Sequence, residues 1–349
     1  MRAVASISQS ALTHNLAVVK KNAPDCKIVA MVKANAYGHH LDLVQPLIKG
    51  ADVLAVSELA EVKKIRKITD KPILLLSGVF SKEELQQAIE LDCQMVIHHQ
   101  SQIAIVANTH ANINVWLKVD TGMHRLGLYE DELTQALSIF EQQPLINVRC
   151  IMSHFACADE KNHPMNTTQL NSFKQLNNGN ISRSMANSAA ILSIKEAYFD
   201  DVRPGIMLYG VSPFGKADQQ LKAAMQLSAP ILSIKTIKAG EPVGYGATWI
   251  AEKTTEVAVV GIGYGDGYPR HAKNGTPVLI NHNLCSLIGR VSMDLICVDV
   301  TDIGANVGDK AILWGDEQLP VETVAHHSDT TGYELLADVT NRVQFTTTL

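Results

Sequence analysis

The first two thirds of the chain alternate short apolar runs with amphipathic stretches. The apolar runs have the length of β-strands, and eight of them occur, at residues 28–32, 52–57, 73–78, 93–98, 113–120, 148–155, 181–187 and 201–209. Amphipathic segments lie between most of them, such as residues 81–91, where Leu85, Ala88 and Ile89 recur at helical spacing. Apolar strands that alternate with helices indicate a parallel sheet covered on both sides. Eight such units predict a (β/α)8 barrel, although a doubly wound open sheet has a similar local pattern.

The pattern changes near residue 225. Beyond it come short apolar runs without helices between them, namely ILSIKTI, EVAVVGIGYG, PVLIN, LCSLIG, LICVDV and AILWG. Turn sequences separate these runs, which predicts antiparallel strands. One helix is expected near residues 321–327, with Pro320 at its start. We therefore predict a TIM-like (β/α)8 barrel at residues 1–225, followed by a C-terminal, mainly-β domain at residues 226–349.

Composition narrows the class of protein. The chain has 349 residues, 46% of them hydrophobic and 19% charged, which is enough to bury a large core. Thirty Lys and Arg against thirty-five Asp and Glu give a formal net charge of −5, which argues against a nucleic-acid or acidic-membrane partner. The start resembles no signal peptide and no apolar run has membrane-spanning length, so a cytoplasmic globular enzyme is expected. Six scattered cysteines are interpreted as buried thiols.

Chemically active side chains fall at the ends of the predicted barrel strands. Lys33 ends the first strand, Arg125 follows the fifth, His154 ends the sixth, Ser188 follows the seventh, and Arg203 lies in the eighth. The carboxyl ends of barrel strands converge on one mouth, where catalysis takes place. Each residue alone is more often an ordinary polar group at a strand end. Together they suit an amine nucleophile that works near phosphate and carboxylate groups.

Nine segments, in order along the chain, resemble motifs of the alanine racemase family. The segment VKANAYGHH, which contains Lys33, resembles that family's attachment site for pyridoxal 5'-phosphate. The others are KVDTGMHRLG, SHFACAD, ANSAA, VRPGIMLYG, VGYGATW, GIGYGDGY, IGRVSMD and GYELL. The resemblance runs from about residue 5 to the C-terminus. The family has a (β/α)8 barrel followed by a β domain, in agreement with the pattern above.

The resemblance implies an activity. The chain would interconvert L-alanine and D-alanine on a pyridoxal-phosphate aldimine and supply D-alanine for peptidoglycan. Lys33 and Tyr245 would be the two acid–base groups, one on each face of the α-carbon. The family assembles as a head-to-tail homodimer with shared active sites, so Lys33 of one copy would work with Tyr245 of the other.

The resemblance also implies a role for further residues. The groups around the cofactor phosphate would be Tyr37, Ser188, Gly205, Ile206 and Tyr333. Arg203 would face the pyridine nitrogen with His154 beside it, and Arg125 and the backbone of Met293 would bind the substrate carboxylate. Lys118 matches a lysine that is often carbamylated in this family and orients that arginine. The residues lining the channel to the site would be Tyr264, Asp159 and Arg290.

Arg203 bears on the alternatives. An arginine is a permanent cation and only donates hydrogen bonds, so it favours an unprotonated pyridine nitrogen and prompt reprotonation of the substrate. Barrel-type amino-acid decarboxylases have a carboxylate there and are disfavoured. A broad-specificity amino-acid racemase of the same fold stays open, because pocket size cannot be read from the sequence. Single-barrel carriers of the cofactor are disfavoured, because they lack a β domain. A barrel glycosidase is disfavoured as well, because it would need paired carboxylates at the mouth, and the strand ends offer only Asp120.

One residue departs from the family's pattern, and two other sequence features suggest binding sites that closer inspection does not support. The family's loop usually reads GHG, whereas His40 replaces the second glycine here, which restricts the backbone. The glycine series that begins at Gly261 fails the dinucleotide pattern, because neither possible frame ends in glycine. The histidine pairs lack a second cluster at metal-ligand spacing, so no metal site is expected.

Overall fold

The computed structural model describes residues 3–177 and 179–349. Its strands are β1 (Val4–Ser8), β2 (Lys27–Met31), β3 (Val53–Val56), β4 (Ile73–Leu75), β5 (Gln94–Ile97), β6 (Ile113–Lys118), β7 (Ile146–Met152), β8 (Ser182–Asn187), β9 (Asp201–Arg203), β10 (Met225–Ile237), β11 (Pro242–Val243), β12 (Trp249–Ile250), β13 (Thr255–Val260), β14 (Pro277–Ile280), β15 (Asn283–Ile288), β16 (Ile296–Asp299), β17 (Lys310–Trp314) and β18 (Gln344–Thr348). Its α-helical segments are α1 (Gln9–Asn22), α2 (Lys33–Tyr37), α3 (Gln45–Gly50), α4 (Leu59–Arg66), α5 (Lys82–Glu90), α6 (Gln100–Val106), α7 (Glu130–Glu141), α8 (Pro164–Gln175), α9 (Ser188–Ser193), α10 (Val321–His327) and α11 (Gly332–Ala337).

The chain divides into two compact units, and each is built from separate stretches of sequence. The barrel unit consists of Leu16–Ala36 and Gln45–Leu208. The β unit consists of the chain up to Asn15, the loop Tyr37–Val44, and Tyr209–Leu349. The domain boundary between residues 225 and 226 stays a prediction.

Strands β2 to β9 form a closed barrel in which each strand pairs in parallel with its neighbour in sequence, and β9 closes on β2. Strands such as β3 and β4 are buried along their whole length, as strands between a barrel core and a layer of helices must be. The helix predicted over residues 81–91 is α5, and the Ser81 hydroxyl caps it by accepting a hydrogen bond from the Glu84 N–H at 3.2 Å. The predicted (β/α)8 barrel is confirmed.

The eighth barrel strand is shorter than the sequence pattern predicts. The apolar run 201–209 forms a strand only over Asp201–Arg203, and Ile206–Tyr209 is a short 3₁₀-helix. Pro204 has no N–H to continue the ladder, so the strand pairing stops there. The chain therefore turns directly after Arg203 at the carboxyl end of the barrel.

The β unit is built on one eight-stranded sheet with the order β13-β16-β15-β14-β17-β10-β1-β18. Strand β13 also pairs with β10, so the six strands from β13 to β10 in this order close on themselves. The predicted C-terminal mainly-β domain is confirmed, as is the helix at Val321–His327 with Pro320 at its N-cap. Strand β1, from the start of the chain, was not predicted; it lies between β10 and β18 and pairs in parallel with β18.

The loop Tyr37–Val44 packs closely within the β unit. Gly38 has a φ of 78°, and a Cβ at this position would lie 1.9 Å from the Leu336 carbonyl oxygen of α11. Only glycine fits such an approach. In residues 3–177 and 179–349, no helix has the length and apolarity that crossing a membrane requires.

Candidate active site

Lys33 follows β2 and opens a left-handed turn. The four residues after it have positive φ angles: Ala34 (51°), Asn35 (52°), Ala36 (58°) and Tyr37 (52°). Left-handed backbone is costly for residues with a Cβ, so surrounding contacts must hold it. The carboxylate of Glu61 does so in part, since it accepts hydrogen bonds from the N–H groups of Asn35 at 3.3 Å and Ser57 at 3.0 Å. Glu61 lies on α4 and was not singled out from the sequence.

Four cationic side chains influence one another at the carboxyl end of the barrel. Burial and the charge of Arg125 lower the pKa of Lys33, against an opposing effect of Glu61. Burial, together with the charges of Arg125 and Arg203, lowers the pKa of Lys118 to about 8. The cluster therefore favours unprotonated amines on its lysines and the binding of anions among its arginines.

The Arg203 guanidinium is held by several partners within the barrel. Its Nη1 donates to the Ser184 hydroxyl at 2.7 Å, and its Nη2 donates to the carbonyl oxygens of Ser153 and of Met185. Nη2 also lies 3.3 Å from Nδ1 of His154. The Arg203 side chain is buried, and burial lowers its pKa to about 10, so it stays protonated at neutral pH.

His154 is the neutral member of this group. Burial and the nearby charge of Arg203 lower the pKa of His154 well below its usual value. A neutral imidazole can accept from Arg203 through Nδ1 only if its proton is on Nε2. In this pair, Arg203 is therefore positively charged and His154 is neutral.

Ser188 organises the turn after β9. Its hydroxyl oxygen accepts hydrogen bonds from the N–H of Gly205 at 2.8 Å and of Met207 at 3.4 Å. Ile206 lies between them and is fully buried. The hydroxyl proton of Ser188 is left to donate, so this turn can present an anion with a hydrogen-bond donor.

Arg125 is carried by a loop that returns to its own strand. The N–H of Asp120 donates to the Leu128 carbonyl at 3.0 Å, and the N–H of Leu128 donates to the Lys118 carbonyl at 2.8 Å. Gly127 makes this closure possible, because its φ is 143° and a Cβ there would lie 2.4 Å from the Asp120 nitrogen. Arg125 itself is exposed at the tip of the loop.

In the β unit, the structure brings together two of the residues predicted around a phosphate. The Tyr37 ring stacks on Tyr209 with centroids 5.0 Å apart, and it lies 6.3 Å from the Tyr333 ring. Burial raises the pKa of Tyr37 to about 12, so its phenol keeps its proton and can donate it. Tyr209 was part of a recognised motif, but its contact with Tyr37 was not predicted.

His40 adopts the backbone expected of the glycine that it replaces. Its φ is 65°, in the left-handed region, where histidine is tolerated better than most residues with a Cβ. Its ring packs on Phe345 of β18 with centroids 4.0 Å apart. The loop therefore keeps a strained conformation through packing rather than through glycine.

The remaining predicted residues of the β unit are exposed. Tyr245 is 70% exposed, at the tip of the β11–β12 hairpin. Met293 is 52% exposed, and its carbonyl accepts from the Gly265 N–H at 2.9 Å, which ties its loop to the turn of Tyr264. Arg290 lies beneath the hairpin, since a Cβ on Gly246 would lie 3.3 Å from the Arg290 guanidinium carbon. Asp159 is an exposed residue of the barrel unit, in the loop after β7.

The fold and the site together define a class of protein: an enzyme with a (β/α)8 barrel that presents a lysine of lowered pKa among arginines, and with a β unit beside it in sequence. Two family models match the chain, "Alanine racemase, N-terminal domain" over residues 7–213 and "Alanine racemase, C-terminal domain" over residues 224–347. An alanine racemase of Vesicomyosocius okutanii is 62% identical over 349 residues, which cover 100% of this chain and 99% of the relative.

Solved structures give the same result. The biosynthetic alanine racemase of Pseudomonas aeruginosa superposes with a TM-score of 0.95 at 43% identity, covering 100% of both chains. An alanine racemase of Bartonella henselae with covalently bound pyridoxal phosphate superposes with a TM-score of 0.91 at 31% identity, again over 100% of both chains. The chain belongs to the alanine racemase family and is an isomerase, an amino-acid racemase.

Proposed function

We propose that the chain interconverts L-alanine and D-alanine with pyridoxal 5'-phosphate bound to Lys33. The observation that carries the proposal is the group of four cations at the barrel mouth, two of them lysines with a lowered pKa. A partly unprotonated lysine suits imine formation with an aldehyde, and the arginines suit a substrate carboxylate.

The residues present fit this cofactor. The Lys33 amine has a lowered pKa. The Ser188 hydroxyl, which accepts from the Gly205 N–H, keeps a proton that it can donate to a phosphate at the turn of Gly205 and Ile206. Tyr37 has a phenol that keeps its proton, and Tyr333 lies next to it. When bound, the cofactor supplies an electron sink for the α-carbon of the amino acid.

The fixed charge of Arg203 determines how strong that sink is. Arg203 stays protonated and its hydrogens are directed by Ser184 and two carbonyl groups, so it offers a donor and never an acceptor. A ring nitrogen beside it would stay unprotonated. The substrate carbon would then keep more negative charge and take back a proton promptly.

Arg125 is proposed to bind the substrate carboxylate, and Lys118 is proposed to orient Arg125. The pKa of Lys118 is about 8, so a fraction of its amine is free at neutral pH and can attack carbon dioxide. The new N–C bond gives a carbamate and releases one proton. The anionic product would lie among the positive charges of Arg125, Arg203 and Lys33, which favours it and lets it orient Arg125.

Two residues are proposed to move the α-proton. Lys33, with its lowered pKa, would serve one face of the substrate, and the Tyr245 phenol of a second copy would serve the other. The 70% exposure of Tyr245 supports this, because its side chain can reach another chain. A two-fold homodimer with two equivalent shared sites follows. Supply of D-alanine to peptidoglycan rests on the family resemblance, and a cytoplasmic location stays an expectation from the sequence.

The proposal is tested by racemisation and by complementation. Purified protein with pyridoxal phosphate should racemise alanine faster than any other amino acid of a panel; equal rates on larger amino acids would favour the broad-specificity alternative. Mixing the inactive Lys33→Ala and Tyr245→Ala chains should restore activity, because each heterodimer has one intact site. If mass spectrometry shows exchanged subunits and no activity returns, the shared site is wrong.

A further inference from the structure

A polar cavity lies at the amino-terminal end of the barrel, opposite the catalytic mouth. Its volume is about 370 Å³, within the roughly 300–1,000 Å³ range of ligand pockets. It is lined by the first residues of several strands, including Lys27 of β2, Gln94 of β5 and Asp201 of β9. Because side chains alternate along a strand, Asp201 and Arg203 share one face of β9, and the cavity lies at the other end of that face.

Three charged side chains of both signs line this cavity: Lys27, Arg149 and Asp201. Lys27 and Asp201 are paired in the register of β2 and β9, yet the Lys27 Nζ lies more than 4.0 Å from the Asp201 carboxylate. In the described parts of the chain, none of the three side chains has a hydrogen bond or an ion pair. Burying a charge without a partner is costly, so the buried Asp201 carboxylate points to a missing partner.

Asp201 is the strongest element of the site. The residue is only 4% exposed, and its carboxylate faces the cavity. Burial raises the pKa of Asp201 to about 6, with Lys27 and Arg203 opposing and Asp200 and Asp52 reinforcing the effect. A bound cation would therefore stabilise the ionised carboxylate. Lys27 and Arg149 are exposed at the rim and offer positive charge to the opposite end of a ligand.

We propose that this cavity binds a small zwitterionic α-amino acid, with its ammonium group on Asp201 and its carboxylate on Lys27 and Arg149. A cation alone would leave the two exposed basic side chains facing only water, and an anion alone would leave the buried Asp201 without a partner. The Trp116 indole, which donates to the Gln94 side chain at 2.6 Å, forms part of the wall. The site does not depend on pyridoxal phosphate.

Trp116 makes the site observable apart from the catalytic mouth. The chain has three tryptophans, so holoenzyme labelled with 5-fluorotryptophan gives three fluorine resonances, and a Trp116→Phe variant assigns one. Glycine should shift the Trp116 resonance with about millimolar affinity. Methylammonium, which has only the ammonium group of glycine, and acetate, which has only the carboxylate, should each bind at least about tenfold more weakly than glycine. The shift should persist in the Lys33→Ala variant, in which the catalytic amine is absent.

Charge variants complete the test. Asp201→Asn should weaken glycine at least about tenfold, and Lys27→Met, on the exposed rim, should weaken it by a smaller factor. The matched control Asp131→Asn, on the exposed start of α7, should leave the affinity unchanged. If Asp201→Asn fails to fold, the glycine affinity of Lys27→Met tests the proposal instead, and an unchanged affinity would contradict it. Three results would each overturn the proposal: glycine leaves the Trp116 resonance unshifted, the shift is lost in Lys33→Ala, or glycine and methylammonium bind with equal affinity.

Discussion

Replacing Arg203 by lysine should strongly destabilise the barrel although the charge is retained. The guanidinium uses two nitrogens at once: Nη1 donates to Ser184, while Nη2 donates to the carbonyl oxygens of Ser153 and Met185. A lysine ammonium is a single point at the end of a flexible stem and cannot occupy both positions. At least two of these hydrogen bonds are lost.

The magnitude follows from the number of bonds and from burial. A hydrogen bond to a charged group contributes about 1.5–3 kcal/mol, so losing two of them predicts about 3–6 kcal/mol. Arg203 is 4% exposed, so water cannot replace the missing donors. The loss is a large part of the roughly 5–15 kcal/mol that keeps a domain folded.

Urea denaturation of the wild type and of Arg203→Lys measures this loss. Arg183→Lys is the matched control, because Arg183 is also a barrel residue that donates to two carbonyl oxygens, both at 3.4 Å and near solvent. We expect the control to lose less than about 1 kcal/mol. The pKa of His154, followed by NMR, should stay low in Arg203→Lys and rise in Arg203→Met, since only the second removes the charge.

A stability for Arg203→Lys within about 1 kcal/mol of the wild type would refute the reasoning. It would mean that the geometry of the guanidinium is not what holds this group of residues. A normal pKa of His154 in the lysine variant would likewise show that a positive charge at position 203 does not suffice to keep that pKa low.

Three further changes test other parts of the structure. The stability of Asp201→Asn relative to the wild type should rise by up to about 3 kcal/mol between about pH 4 and pH 7. The reason is that the Asp201 carboxyl, with its pKa raised to about 6, becomes charged in the folded wild type over this range and destabilises it. Equal pH profiles of the two proteins in urea denaturation would contradict this. Ala34→Gly should stabilise the fold by about 0.5–1 kcal/mol because it relieves a φ of 51°. The control Ala60→Gly, exposed in the first turn of α4, should destabilise it by up to about 1 kcal/mol, and thermal melting compares the two. Ser188→Ala should destabilise by about 1–3 kcal/mol in urea, since the buried turn after β9 loses the acceptor of two N–H groups, and an unchanged midpoint would count against that role.

Much of the fold could be predicted because its signals are local. Most barrel strands appear as apolar runs, since a strand buried on both faces is largely apolar, and the order of parallel strands follows the sequence. Strand β8 is an exception, because its sequence SRSMAN is mostly polar and only half of it is fully buried. Lys33, His154 and Arg203 could be assigned to one mouth for the same reason: successive parallel strands bring their carboxyl ends together. Strand β1 escaped prediction because five residues near a chain end carry a weak pattern and pair with strands far away in sequence.

The sequence by itself therefore determined the barrel, the mainly-β unit and the residue types at the catalytic mouth. Only the tertiary structure decided their properties. Local preference opposes the left-handed turn Ala34–Tyr37, which contains no glycine, and contacts from Glu61 and the β unit's own packing hold its two ends. The lowered pKa values of Lys33 and Lys118 and the unpartnered charge of Asp201 also arise from burial and from neighbours distant in sequence. Electrostatic free energy depends on distances in space and on exclusion of water, and neither quantity is a property of the sequence around one residue.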